Sequence, residues 1–218
     1  MLRSYFASLA ILTGLLAGSA SGQDFANNVT SISGTWSSGS GHVRTGLQFF
    51  NPITKNFTMP ATSGTAYSFT DDGFFETSQF TYKSNPQVNR CFTAALTWQH
   101  GKYTFNANNS ISLSPFPADG FVQVISPCAG QTVQMYHYSQ FELIPMWNIY
   151  TDAHPGFQSG GGSAYAMTLY NDGGNGQAGA AKNVMWLVQR PAAMLPTEQL
   201  YQEVLNSVGA GSAGGTAS

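Results

Sequence analysis

An all-β chain, folded as a single antiparallel β-barrel with a short C-terminal helix, is what three observations in this sequence predict. Runs that alternate apolar and polar residues recur at short, even intervals. Turn formers such as Asp71-Asp72-Gly73 and Asn106-Ala107-Asn108-Asn109 separate them. The composition holds 24 Gly and 13% aromatics with only 8% charged residues, far from the Ala/Glu/Lys/Leu/Arg mixture of a helical chain. A length of 218 residues suits one β domain with extensions.

Taken in order, residues 1–22 read as a secretory signal peptide. Arg3 supplies the positive start, Tyr5 to Ala17 the apolar stretch, and Gly18 to Gly22 the small side chains a signal peptidase requires. The barrel domain is expected over residues 23–205. Its clearest hairpin joins 66–70 to 74–82 across Asp71-Asp72-Gly73, the dipeptide Asp-Gly being a strong turn former between aromatic runs. A second hairpin is expected over 96–106, turning at His100-Gly101, and further strands over 42–50, 57–60, 90–96, 111–113, 120–126, 133–139, 142–150, 164–170 and 183–188. Gly-rich stretches at 155–163 and 172–181 are expected to be loops. Thr197 is placed to cap a helix over 198–205 that shows Leu200, Tyr201, Val204 and Leu205 on one face. Residues 206–218 are Gly, Ala, Ser and Thr with little else, and are expected to be a disordered tail. After the signal no run of 18 apolar residues occurs, so the cleaved chain is expected to be soluble in the lumen.

The chemistry that the sequence offers is sparse. A net charge of −2 gives no footprint for nucleic acid or anionic lipid. Cys91 and Cys128 are the two cysteines, and in an oxidising compartment an even pair is most simply one disulfide, worth about 4 kcal/mol in the chain-entropy model. Three sequons, at Asn28, Asn56 and Asn108, are acceptors for N-linked glycan in that compartment. His42, His100, His137 and His154 form no metal-binding spacing, and no metal or cofactor is expected. Asp71, Asp72 and Glu76, with Glu142, are the carboxylates that could serve glycosidase chemistry. Asp71-Asp72 before Gly73 is also what a tight turn selects, so no catalytic residue is assigned.

Gly34-Thr35-Trp36 at the head of the first long strand resembles the opening motif of lipocalin- or calycin-like barrels, in which an Arg from the last strand lies across the indole. Arg190 stands at the equivalent place, so Trp36 and Arg190 are expected to form a barrel-closing pair held by a cation–π contact. Longer runs are similar to the fungal reversal-of-TOR-lethality family of endoplasmic-reticulum folding factors. They are Ser33 to Gly41, Tyr67 to Glu76, Trp98 to Tyr103, Asp152 to His154, Arg190-Pro191 and Met194 to Thr197, with Cys91 and Cys128 at matching places. The resemblance implies a glycosylated lumenal protein that assists folding of secretory clients and supports cell-wall assembly, particularly of β-1,6-glucan, with no catalytic residues to transfer. It also implies a membrane anchor, from which the residues above depart. The leading expectation is therefore a non-enzymatic chaperone or assembly factor acting on unfolded or maturing secretory proteins, and through them on the glucan-synthesis machinery. A carrier or glycan-binding module is the alternative.

Endoglycosidase treatment of the secreted-pathway protein is expected to lower its apparent mass in at least two steps, because three sequons are present. A mobility unchanged by the enzyme would remove lumenal residence from this reading.

Overall fold

Alternation with period two builds strands, and here it builds a sheet that is buried on both faces over much of its area. The computed structural model describes residues 29–88, 90–154, 156–157 and 163–201. The signal segment, Asn28 and the Gly/Ala/Ser tail lie outside them. Among the described residues the strands are β1 (Gly34–Ser38), β2 (Phe50–Asn51), β3 (Asn56–Phe57), β4 (Gly64–Phe69), β5 (Phe74–Ser84), β6 (Phe92–Phe105), β7 (Ile111–Pro115), β8 (Phe121–Ile125), β9 (Val133–His137), β10 (Glu142–Ile144), β11 (Trp147–Asp152), β12 (Ala164–Asp172), β13 (Ala178–Ala181) and β14 (Met185–Gln189). The main sheet is antiparallel and runs β10-β7-β6-β5-β4-β1-β14-β12-β11, while β8 pairs with the other half of β6 and carries β9 outside it. No ladder joins β10 to β11. Those end strands are nevertheless consecutive in the chain, parted by Pro145 and Met146, and Tyr170 N–H donates to Met146 O at 3.0 Å.

Cross-strand partners share a face. One face carries the larger apolar core, with Trp36, Phe69, Phe75, Ile111, Leu113, Ile144, Ile149, Met167 and Met185 all buried. The opposite face of β4, β5, β6 and β8 carries a second core of Ala66, Phe80, Leu96, Trp98 and Phe121. Over it lie Val43, Phe49, Phe50 and Leu195, supplied by the 43–57 loop and the segment after β14. Phe50 stacks on Trp98 with centroids 4.4 Å apart.

The β4–β5 hairpin forms as its sequence predicts, with Gly73 at φ 90° and Thr70 N–H bonded to Phe74 O at 2.9 Å. Several expected elements differ. His100-Gly101 is no turn: β6 runs straight through it for 14 residues. The His100 ring is buried against Trp98, and Gly101 is needed because β7 crosses so closely that a Cβ would lie 2.2 Å from Ser114 O. The strand expected over 42–50 is largely loop with a 3₁₀ turn at Gly46–Gln48, since Gly46 sits at φ 74° and gives its N–H to a buried carboxylate rather than to a ladder. Pro145 splits the run expected over 142–150 into β10 and β11. The Gly-rich 172–181 stretch includes a short strand, β13, paired to β12. At 198–201 the chain is not helical; the N–H groups of Leu200 and Tyr201 are directed to the Asp119 carboxylate. The remainder of that expected helix lies outside the described residues.

Gly101→Ala is expected to lower the unfolding free energy by about 1–3 kcal/mol, read as a lower urea midpoint, because backbone atoms of β7 occupy the space a methyl needs. An unchanged midpoint would mean that β6 and β7 do not pack at this distance.

Candidate functional site

Where the sheet's polar side chains gather decides what the domain can do. Cross-strand pairing lines up Thr35, Ser68, Glu76 and His100 along one row across β1, β4, β5 and β6, and all four are buried. Glu76 is the centre of this row. Its Oε1 accepts from Gly46 N–H and, at 2.9 Å, from the Trp98 indole; its Oε2 accepts from Leu195 N–H at 2.6 Å. Burial raises the Glu76 pKa, and these hydrogen bonds oppose the rise. Thr35 receives Ala193 N–H at 2.8 Å, and the hydroxyls of Thr45 and Ser68 donate to Ala193 O. His100 Nε2 lies 2.7 Å from Asp119 Oδ2, and Asp119 also accepts from Leu200 and Tyr201 N–H. Burial alone would raise the Asp119 pKa, but the hydrogen bonds from His100 and the two backbone amides outweigh it and hold the carboxyl below its ordinary value. The row is thus a clamp that fastens the 193–201 segment onto the sheet. Glu76 is enclosed by protein donors and touches no open cavity, while Asp71 and Asp72 sit on the exposed hairpin turn.

Trp36 and Arg190 both hold the entry segment, and they do so separately. The Trp36 indole donates to Ile32 O at 2.7 Å, whereas Arg190 donates to Ser33 O, Ser31 O and Thr30 Oγ1 at 2.8 to 3.1 Å. No cation–ring contact joins them; those among the described residues come from Lys55, Lys102 and Lys182. The guanidinium is taken up instead by the carbonyls of Ser31 and Ser33 and the Thr30 hydroxyl. Cys91 and Cys128 lie at disulfide distance, Cα–Cα 5.6 Å, which brings the residue before β6 beside the turn after β8. Asn56 and Asn108 are exposed, on β3 and on the β6–β7 turn. Among the described residues no group of three or more His, Cys, Asp or Glu side chains is placed to hold a metal ion, and no helix is long and apolar enough to cross a membrane.

Two features remain that sequence reading did not locate. The first is a cleft of about 450 Å³ at one end of the larger core, on the same face of the sheet. Thr65, Thr77, Gln79, Thr97 and Gln99 come from β4, β5 and β6; Tyr138, Gln140, Phe141 and Glu142 close one side, and Asn171, Lys182 and Asn183 the other. At its base Lys182 pairs with Glu142 and donates to the Tyr67 hydroxyl at 3.0 Å, and that hydroxyl donates to Glu142 at 3.1 Å. Burial, and then the Glu142 charge, push the Tyr67 phenol well up, so it stays protonated. The signal in the sequence was the run of Thr and Gln at alternate positions, Thr77 and Gln79, Thr97 and Gln99, where the apolar pattern lapses on one face.

The second feature is the free edge of β9. The bonds Tyr138 N–H to Gly120 O and Ser126 N–H to Thr132 O set the phase of the β8–β9 ladder. In that phase residues 134 and 136 bond to β8, while the N–H and C=O groups of 133, 135 and 137 point away from it. Among the described residues no strand pairs there. Val133, Met135 and Tyr136 are exposed, and the strand carries neither Lys nor Pro, which usually guard such edges.

A family model described as Rot1, a fungal chaperone for protein folding within the endoplasmic reticulum, matches residues 32–208. This chain belongs to the Rot1 family. It is 36% identical to Protein rot1 of Botryotinia fuckeliana over 173 residues, which are 79% of this chain and 61% of that protein. It is 34% identical to Protein ROT1 of Yarrowia lipolytica over 194 residues, 88% and 73% of the two chains, and 36% identical to Protein rot1 of Schizosaccharomyces pombe over 179 residues, 82% and 72%. The chain thus spans about three fifths of the Botryotinia relative's length. No solved structure matches it.

Replacing Glu76 by Gln leaves one N–H donor of the clamp facing an amide N–H₂. The expected loss is about 1–3 kcal/mol of stability, together with faster amide exchange at Leu195. Exchange at Leu195 unchanged from wild type would show that the segment is held by other contacts.

Proposed function

We propose that this chain is a non-enzymatic folding factor of the endoplasmic-reticulum lumen that captures extended, apolar segments of secretory clients by strand addition to β9. The free edge carries this reading. Three residues with outward backbone groups, beside exposed Val133, Met135 and Tyr136, match an unfolded polypeptide, whose own amides are bonded only to water. Backbone bonding is indifferent to client sequence, which suits a chaperone, and needs no nucleotide. The family description supports the same reading. Support of wall assembly then follows through clients, among them proteins of β-1,6-glucan synthesis.

The scaffold that holds this edge is, in our reading, a lipocalin-like barrel closed through the kinked run from β10 to β11. The Tyr170-to-Met146 bond and the approach of β10 to β12 within 8 Å support closure. In such a barrel Trp36 seals one end and the polar cleft is the other. Arg190 acts there by bracing the 30–33 segment beside Trp36. The bond between Cys91 and Cys128 anchors β6 to β8, and through β8 the edge strand. Glycan on Asn56 would stand on the 43–57 loop and glycan on Asn108 on the β6–β7 turn, where both side chains are exposed.

Met135→Pro removes an outward N–H while leaving the ladder to β8 intact. It is expected to fold as wild type yet lose most suppression of denatured-client aggregation, and Met135→Lys to act likewise. Full suppression by both would exclude the β9 edge. Absence of suppression in the wild-type protein would exclude the folding-factor reading itself.

A further inference from the structure

The β9 edge makes no use of the cleft, whose chemistry points to another ligand. We propose that the cleft between β4–β6 and the Lys182–Asn183 segment is a binding site for a neutral carbohydrate, one or two pyranose rings of a glycan.

Its charge comes first. Glu142 and Lys182 pair with one another at the base, and every other lining side chain is uncharged. The site therefore offers no free cation to a phosphate or carboxylate ligand and no free anion to a basic one. Apolar ligands are disfavoured as well. The deeper interior is already filled by Trp36, Phe69 and Phe75, each fully buried, and the cleft above it is walled by hydroxyls and amides.

Those walls suit a polyol. Among the described residues Thr77, Gln79, Thr97 and Asn183 have no side-chain hydrogen bond to protein, although all four line the cleft. Each is both donor and acceptor, the pattern that adjacent sugar hydroxyls require. Strands β5 and β6 hold three of the four in fixed register, Thr77 beside Gln99 and Gln79 beside Thr97, so their ordering precedes binding. Gln99 is itself locked by two bonds to the Gln140 backbone, at 3.0 and 3.1 Å, which fixes one wall.

Aromatic surface completes the set. Phe141 stands at the rim with 55% of its surface exposed, and Tyr138 lines the same side. The face of an aromatic ring carries partial negative charge and attracts the polarised C–H groups of a pyranose. A neighbouring groove shares Thr65, Gln79 and Asn183 with the cleft, so its polar wall continues beyond the first ring. A volume of about 450 Å³ lies within the ordinary range for small-ligand sites.

The experiment uses the full chain and three neutral disaccharides, mannobiose, cellobiose and diacetylchitobiose, observed by saturation-transfer NMR and calorimetry. Parallel arms use digalacturonate, an uncharged amidated tripeptide and a medium-chain fatty acid. The expected result is saturable millimolar binding of at least one neutral disaccharide, weakened about tenfold in Gln79→Ala and in Asn183→Ala at unchanged melting temperature. Phe141→Ala should weaken it as well, with Phe105→Ala, remote from the cleft, as the control. Binding of none of the three sugars, binding untouched by these cleft variants, or stronger binding of the acidic sugar, the tripeptide or the fatty acid would each overturn the proposal. Aggregation suppression by Gln79→Ala should equal wild type, so failure here leaves the β9 edge a separate question.

Discussion

A single buried carboxylate, Glu76, is the point on which the rest of the domain depends. It lies mid-sheet on β5, opposite Ser68 on β4 and His100 on β6. Through one side chain it ties together the 43–57 loop at Gly46, the second core at Trp98 and the returning chain at Leu195. A carboxylate removed from water is costly unless its lone pairs are met by donors, and here two backbone amides and an indole meet them. Because those donors come from three distant parts of the sequence, the group is satisfied only when all three are in place. That makes the contact a condition for assembly of the outer layer rather than an ornament on it.

The consequence is a sheet with two cores and few idle surfaces. One face closes over Trp36, Phe69, Phe75 and their neighbours. The other is roofed by aromatic residues of a loop that would be solvent-exposed without the clamp, Phe49 and Phe50 being fully buried. What remains open is correspondingly informative: a polar cleft where the inner face changes from apolar to Thr and Gln, and the outer edge of β9, along which no strand pairs among the described residues. The larger core lies beneath the cleft, and the ladder to β8 holds the β9 edge.

How much of this was legible in the sequence differs by element, for physical reasons. The β4–β5 hairpin was, since Asp71-Asp72-Gly73 encodes its own turn locally. The Cys91–Cys128 proximity followed from there being no other cysteine. His100-Gly101 misled, because a Gly that permits close approach of another strand looks the same in sequence as a Gly that turns the chain. The loop over 42–50 looked like a strand since its Phe49 and Phe50 are as apolar as strand residues, though they serve as a lid. Arg190 lies beside Gly34, and its acceptors include carbonyls of a segment whose path only folding sets. Glu76 reads in the sequence only as a carboxylate, and its burial is not encoded locally, for its donors lie 22, 30 and 119 residues away.

By itself, then, the sequence determined the all-β class, the principal hairpin, the positions of cysteines and sequons, and membership of the Rot1 family. Each of these is written in residue type, period-two patterning or a short contiguous run, so no distant contact is needed to read it. Strand order, the splitting of β10 from β11 at Pro145, the meeting of Glu142 with Lys182 and the freedom of the β9 edge were decided only in the tertiary structure. They depend on which strands become neighbours, and that is set by the joint burial of two cores, to which every strand contributes and which no local segment encodes.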